Sequence, residues 1–276
     1  MKTKILVFLS ILSLSAYLLC IPGESKMSEI IFEMIALNGS KLPEVKGLMK
    51  SLTTIGLNKK DIKKLTISKD LISFDYIDFN IIAKLIDAPI SWQDIEGPCN
   101  TAWYWPDAKK SMSSHKFHLI VTLSNGSGST ISRYILLTKI ISSIAKNTQT
   151  AGIYWGSATL VFSSDMFSTF SEDIDIENLP LMLWIDFRIQ QREKGFILFT
   201  TGMKTFGHKE IEVKKPYKDK KELYDIVYNL AYYLLENGPV IKDGDTFGLS
   251  ESQKIKIKYE SSMCKNRKEK IMSLSL

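Results

Sequence analysis

The chain has 276 residues, 45% hydrophobic, 11% aromatic and 24% charged, a balance that sustains a folded core and excludes disordered, collagen-like and disulfide-scaffold proteins. Its formal charge of +6 comes with only four arginines, Arg133, Arg188, Arg192 and Arg267, among 36 basic residues. Arginine is what bidentate phosphate and base-edge recognition favours, so the lysine excess argues for solvated faces and against a nucleic-acid partner.

In chain order, Lys2 and Lys4 precede an uncharged apolar run from Ile5 to Ile21, closed by Pro22-Gly23 and the charged Glu24 to Lys26. This is the order of a secretory signal, and at about 17 residues the run also reaches the lower limit for a membrane span. Residues 1–26 are therefore expected to export the chain or to anchor it, with this segment contacting a membrane. If Met27 is the true start, the protein is cytoplasmic. Cys20 follows Leu19, where a lipidation box wants a small residue.

Ile30 to Leu37 is apolar and strand-like, and Val45, Leu48, Met49 and Leu52 then recur at helical spacing before Gly56. Ile72, Phe74 and Tyr76 alternate with polar residues, as do Phe79, Ile81, Ala83 and Leu85 after Asp78, which predicts a hairpin. The lysine clusters at Lys59, Lys60, Lys63, Lys64 and at Lys214, Lys215, Lys218, Lys220, Lys221 read as solvated edges. Asp87 to Lys110 lacks any period and holds Trp92, Trp103 and Trp105 with Pro89, Pro98 and Pro106. Large indoles fix such a stretch by burial, so an ordered loop is expected.

Lys116 to Leu123 is strand-like, and a helix is predicted from about Ile131 to Lys146. Further strands are expected at Ala151 to Phe162, Leu181 to Ile189, Phe196 to Thr201 and His208 to Val213, the last three as a meander, with a short helix over Asp165 to Glu172. Asp219 and Glu222 form a capping box for a helix with Leu223, Ile226, Val227, Leu230, Ala231 and Leu234 on one face and Asn237-Gly238 at its end. Ile255, Ile257 and Tyr259 alternate with lysines as an edge strand would, and residues 263–276 read as a polar basic tail. The pattern predicts a single α+β domain over residues 27–262, with antiparallel sheets, helices packed on one face and repeated β-α-β-β-like units.

Five spaced motifs carry a family resemblance. They are Asp87-Ala-Pro-Ile-Ser-Trp92; Glu96-Gly-Pro-Cys99 with Ala102 and Trp105-Pro106; His115 and His118 with Leu119 to Leu123; Thr201-Gly-Met203 with Phe206-Gly207; and Asp243-Gly-Asp-Thr-Phe-Gly248. On these, the chain from about Ile30 to Ser262 resembles the bacterial family known as domain of unknown function 4261. Ser91 stands where its members usually have Pro, and they generally lack an extension like residues 1–26. The family has no established activity, so the resemblance implies a domain without a reaction.

Candidate chemistry is sparse. His115 and His118 form H-x-x-H, but residues three apart on a strand face opposite sides, so one metal would not take both. A period of two sets His208, Glu210 and Glu212 on one face, either for acid-base work or as the wet face of a half-buried strand. Cys99 with His118 as base lacks any protease signature, and a buried structural thiol is the simpler reading. Cys99 and Cys264 could pair or stay free. Tyr224, Tyr228 and Tyr232 recur every four residues and read as packing. Asp243 and Asp245 resemble the start of a calcium loop without its later ligands, which predicts a turn. No phosphate-binding, dinucleotide-binding or nucleophile-elbow motif occurs.

The expectation is a binding or interaction domain, non-enzymatic, without cofactor or metal, for a protein or small-ligand partner. Its functional surface is drawn from Trp92, Cys99, Trp103, Trp105, His118, His208, Glu210 and Asp245. The alternative is a hydrolase-like or metal-dependent enzyme using His118 or the His208, Glu210 and Glu212 face. Convergence of the polar groups in one pocket would favour the enzyme.

Overall fold

A computed structural model of the chain describes residues 30–248 and 254–276; the predicted signal or anchor, and the choice of Met27 as start, lie outside the described residues. Among the described residues thirteen strands make two sheets, with seven helices packed on and between them.

The first sheet holds β1 (Ile31–Leu37), β2 (Ile62–Ile67), β3 (Leu71–Tyr76), β4 (Phe79–Ile86), β5 (Phe117–Asn125), β6 (Thr150–Trp155) and β7 (Leu160–Phe162), in the order β2-β3-β4-β5-β1-β6-β7. All of its neighbours are antiparallel. The β3-β4 hairpin is the predicted one. Its outer neighbour β2, which carries Lys63 and Lys64, is an edge strand, consistent with lysine as a guard of unpaired edges.

The second sheet holds β8 (Asp186–Arg192), β9 (Gly195–Thr201), β10 (Ile211–Tyr217), β11 (Thr246–Phe247), β12 (Ile255–Ser261) and β13 (Lys270–Ser275), in the order β11-β12-β13-β10-β9-β8. Among the described residues only the β10-β13 pair is parallel. The class is α+β, as the pattern predicts.

The helices are α1 (Val45–Thr54), α2 (Trp92–Thr101), α3 (Ala108–Ser114), α4 (Thr130–Ala145), α5 (Ser164–Phe170), α6 (Leu181–Trp184) and α7 (Lys220–Asn237). Ser129 caps α4 by accepting from the Ser132 amide at 3.2 Å. Leu137, Ile140, Ile141 and Ile144 are fully buried around α4, as in a helix covered on most sides. Tyr134 of α4 meets Trp155 of β6 at 5.9 Å and Trp184 of α6 at 6.1 Å between ring centroids. The Trp184 indole N–H donates to Thr138 Oγ1 at 3.0 Å. One core therefore runs from the first sheet through α4 to the second. Asp219 caps α7 as the capping box predicts, accepting from the Lys221 and Glu222 amides at 2.8 and 2.9 Å. Along α7, Tyr224, Tyr228 and Tyr232 stack in series, and Phe187 of β8 packs on the first two.

Four expectations are corrected. The Asp87–Lys110 stretch is not an irregular loop: α2 and the start of α3 lie within it, and Ile95 and Cys99, four apart, are the buried residues of α2. They pack with Met112, Ala36 and Val161 in a second apolar cluster. Ala36 and Met34 alternate along β1 with Ile35 and Leu37 of the main core, so helices cover both faces of the first sheet there. Leu181–Ile189 is split, because one helical turn follows Pro180 before β8 begins. The strand around Ile255 is flanked on both sides by β11 and β13. Residues 263–276 are no frayed tail, since β13 lies inside the second sheet with Ile271, Met272 and Leu274 buried.

Candidate functional site

A cleft of about 930 Å3 opens where β1 approaches the segment from Thr201 to Glu210 and the turn leading into β13. Its first wall is β1. Inward positions of β1 alternate Ile31, Glu33, Ile35, so the chain's period of two drives a carboxyl into the core, where Glu33 is 1% exposed. Ser157 Oγ donates to Glu33 Oε1 at 2.8 Å, and the Gly156 amide donates to Oε2. Among the described residues Glu33 forms no ion pair. Burial pushes its pKa up to about 8, although the Ser157 and Gly156 donors pull the other way. At neutral pH it is mostly the neutral acid.

The opposite wall begins at Gly202, whose φ is +120°, and turns through a short 3-10 segment, Met203–Phe206. A Cβ at Gly202 would stand 2.4 Å from the Trp184 carbonyl oxygen, so only glycine fits there. Glu210 ties this turn: Oε1 accepts from the Gly202 and Lys204 amides at 2.9 and 3.3 Å, and Oε2 from Thr200 Oγ1 at 2.7 Å. Glu212 is wholly buried and ties the next segment, accepting from the Met263 amide at 2.9 Å, from Ser262 Oγ and from Arg267 Nη1 at 3.2 Å. Arg267 Nη2 in turn donates to the Thr200 carbonyl at 2.8 Å and to Thr201 Oγ1 at 3.3 Å.

His208, Glu210 and Glu212 do not form the wet face of a strand: all three are buried, the strand begins only at Ile211, and of the three only His208 and Glu210 line the cleft. Glu210 and Glu212 have both oxygens engaged, so of the three only His208 keeps free polar atoms. Its ring lines the cleft, makes no hydrogen bond among the described residues, and has its pKa lowered by burial, which keeps it neutral. At the rim Lys204 pairs with Glu269, and Lys209 lies 4.8 Å over the Tyr259 ring.

The remaining predicted residues lie elsewhere, since none of Trp92, Cys99, Trp103, Trp105, His118 or Asp245 lines the cleft. Trp92 and Trp105 pack on the second apolar cluster, while Trp103 is 81% exposed. Cys99 is buried and its thiol is pushed up to about 11 by desolvation, which suppresses the thiolate. Cys99 and Cys264 are free thiols. His115 is not on a strand but follows α3. Its Nε2 accepts from the Ile90 amide at 2.7 Å, which places its proton on Nδ1, beside the Met112 carbonyl. His118 Nδ1 donates to the Ala88 carbonyl at 2.7 Å. Both histidines have their pKa lowered by burial and pin the Ala88–Ile90 segment. Asp245 Oδ2 accepts from the Lys242 amide and Asp243 Oδ1 from the Tyr259 amide, each at 2.7 Å, as turn residues do. Among the described residues no group of three or more His, Cys, Asp or Glu side chains is placed to hold a metal ion.

More than half of the residues lining the cleft fall between Thr201 and Ile271. Residues 199–271 match the family model of a domain of unknown function (DUF4261). The match takes in the Thr201–Met203, Phe206-Gly207 and Asp243–Gly248 motifs, and the motifs between Asp87 and Leu123 lie outside it. No curated protein and no solved structure matches the chain. The matched segment thus supplies the Gly202 turn, His208, Glu210 and Arg267, whereas Glu33 comes from the other sheet. Glu33 was not among the predicted residues. Its one signal in the sequence is an acid inside the otherwise apolar run Ile30–Leu37.

Proposed function

We propose that this chain is a small-molecule binding domain whose ligand site is the cleft between β1 and the Gly202–Glu210 turn. The observation that carries the reading is that one cleft is lined by two buried ionisable side chains, Glu33 and His208, with burial raising the pKa of the first and lowering that of the second. The volume of about 930 Å3 falls in the range of small-molecule sites, roughly 300–1,000 Å3. Tyr134, Tyr154 and Ile31 add apolar surface beside the polar groups, the usual mixture for such sites.

The test is a library of neutral and charged fragments screened by ligand-observed NMR against the wild type and against Thr205→Trp, which fills the cleft from its own wall. Hits that bind the wild type and vanish in Thr205→Trp are expected. If every hit survives the substitution, or none appears, the reading fails and the exposed Trp103 surface becomes the better site.

Export or anchoring through residues 1–26 belongs to the same proposal and rests on their charged, apolar and Pro-Gly order. Among the described residues no helix is long and apolar enough to cross a membrane. Fractionation with N-terminal sequencing of the native protein tests it, and a cytoplasmic chain starting at Met27 would overturn it.

A further inference from the structure

We infer that the end of the first sheet at which β1 begins is a docking surface for an anionic lipid bilayer, with Ile77 as its apolar tip and Lys59, Lys60 and Lys63 as its basic rim. Antiparallel pairing collects these parts at one end. Ile31 lies opposite Leu123, Phe79 opposite both Asn125 and Tyr76, and Ile62 opposite Tyr76. The entry of β1, the β3-β4 turn and the start of β2 therefore share one end of the sheet. From β1 to β2 is four strand spacings, about 20 Å.

Ile77 stands in the β3-β4 turn with a φ of +56° and is 61% exposed. A left-handed turn position favours Asn, Asp or Gly, and a β-branched side chain there is an outlier. Neither the turn nor the core accounts for an isoleucine at this place. Its amide donates to the Asp61 carbonyl at 3.2 Å, which ties the turn to the short 3-10 segment Lys59–Asp61 in front of β2. On the other side, the Ser127 amide and hydroxyl both donate to Asp78 Oδ2 at 2.7 Å, which ties the turn to the loop leading into α4. Held from both sides, the tip keeps its apolar side chain in place. Ile30 and Phe32, at the entry of β1, are also exposed, so the apolar surface at this end is not confined to one residue.

Lys59, Lys60, Lys63 and Lys64 are all exposed beside the tip, and of the four only Lys64 forms an ion pair among the described residues, with Asp75 at 3.0 Å. Lysine on β2 guards that edge strand, but Lys59 and Lys60 precede it, so edge protection does not account for them. Asp75 is taken by Lys64 and Asp78 by Ser127, which leaves three unpaired lysines against Asp61. Lysines near an anionic leaflet are drawn to it, and an apolar side chain among them gains by burial at the interface. A nucleic-acid backbone would answer the lysines and leave Ile77 in water. The covalent path agrees, because the apolar run ends at Ile21, nine residues before Ile30, a reach of at most about 30 Å. If residues 1–26 anchor the chain, this end of the sheet is tethered beside the bilayer; the surface itself does not require the anchor.

The test uses the full chain with labelled isoleucine methyl groups, observed by NMR on nanodiscs of phosphatidylcholine, with and without phosphatidylglycerol, doped with nitroxide-labelled lipid. The Ile77 signal is the one missing from Ile77→Asn, a substitution that suits the left-handed turn and should leave the thermal transition unchanged or raise it. On anionic discs the Ile77 methyl is expected to broaden, while that of Ile176, 60% exposed beside α7, is not. Lys59→Glu, Lys60→Glu and Lys63→Glu together should lower the broadened population about tenfold or more, and high salt should act in the same direction. An Ile77 methyl no more broadened than that of Ile176, on discs that the chain does bind, overturns the surface and leaves the anchor standing. A chain that binds only anionic discs, with Ile77 broadened and salt releasing it, keeps the surface and overturns the anchor. Binding to neither disc refutes both. Ile77 shifts that follow protein concentration or added duplex DNA, and not lipid, assign this end to a second copy or to nucleic acid and overturn the bilayer.

Discussion

The Ser157 hydroxyl, in the turn between β6 and β7, donates at 2.8 Å to Glu33 Oε1, an atom 124 residues away in the chain. Ser157 and the Gly156 amide are what make an acid tolerable on the core side of β1, because each offsets part of the desolvation that burial imposes. The remainder of that penalty keeps the proton on Glu33, and it has a consequence for stability.

Glu33 titrates near 4.5 when solvated and at about 8 in the fold. Between those values the unfolded chain has released its proton and the folded chain has kept it, so stability falls as pH rises through the window and levels off above about 8. The slope is up to about 1.4 kcal/mol per pH unit for one group. His115, His118 and His208 act in the opposite sense: their folded pKa values lie below 6.5, so stability falls as pH drops below that value. Glu33→Gln removes only the first effect. Urea denaturation should therefore show the variant gaining on the wild type by a few kcal/mol between about pH 5 and 8. Parallel stability curves for the two proteins would show that Glu33 is ionised in the fold.

The three tryptophans of the Trp92–Trp105 region separate by burial. Trp103 is 81% exposed, so Trp103→Ala should change stability by no more than about 0.5 kcal/mol. Trp105 packs so closely on β6 that a Cβ built at Gly152 would lie 2.7 Å from its Cη2. Trp105→Ala should cost about 3 kcal/mol in chemical denaturation. Equal small effects at both positions would mean that this region is held by α2 and α3 alone.

Where one interaction dominated a segment, the fold was legible in the sequence. The α7 helix followed from its capping box and apolar face, and the β3-β4 hairpin from its alternation. The α2 helix was hidden because Pro98 and the clustered indoles mask a face of only two buried residues, Ile95 and Cys99. β13 was hidden by its neighbours: Lys265, Arg267, Lys268 and Lys270 read as a solvated tail, but Arg267 is turned inward to Glu212. The site was legible in half. His208 and Glu210 stand out by their alternation, whereas Glu33 joins them on one cleft only when the two sheets come together, and no local pattern encodes that approach.

The Glu212–Arg267 pair provides the last prediction, because it explains why the C-terminal segment folds inward. Glu212 has no exposed surface and Arg267 little, their bond is 3.2 Å, and Glu212 also receives Ser262 and the Met263 amide. The segment from 262 to 267 is thereby delivered to the edge of β10, so that β13 can pair with it in parallel, Ile211 opposite Met272. Removing Glu212 withdraws the buried acceptor of Ser262 Oγ, the Met263 amide and Arg267 together, so Glu212→Ala should lose about 3 kcal/mol or more. Arg267→Ala should cost less than that, because Glu212 keeps its Ser262 and Met263 donors. The double variant should then fall short of the sum by about 1 kcal/mol or more, the signature of direct coupling. Deleting residues 270–276 should abolish cooperative unfolding, since it withdraws the strand between β12 and β10. A truncated chain with an unchanged thermal transition would show that the second sheet closes without β13, and strictly additive single variants would show that Glu212 holds the segment through Ser262 and Met263 alone.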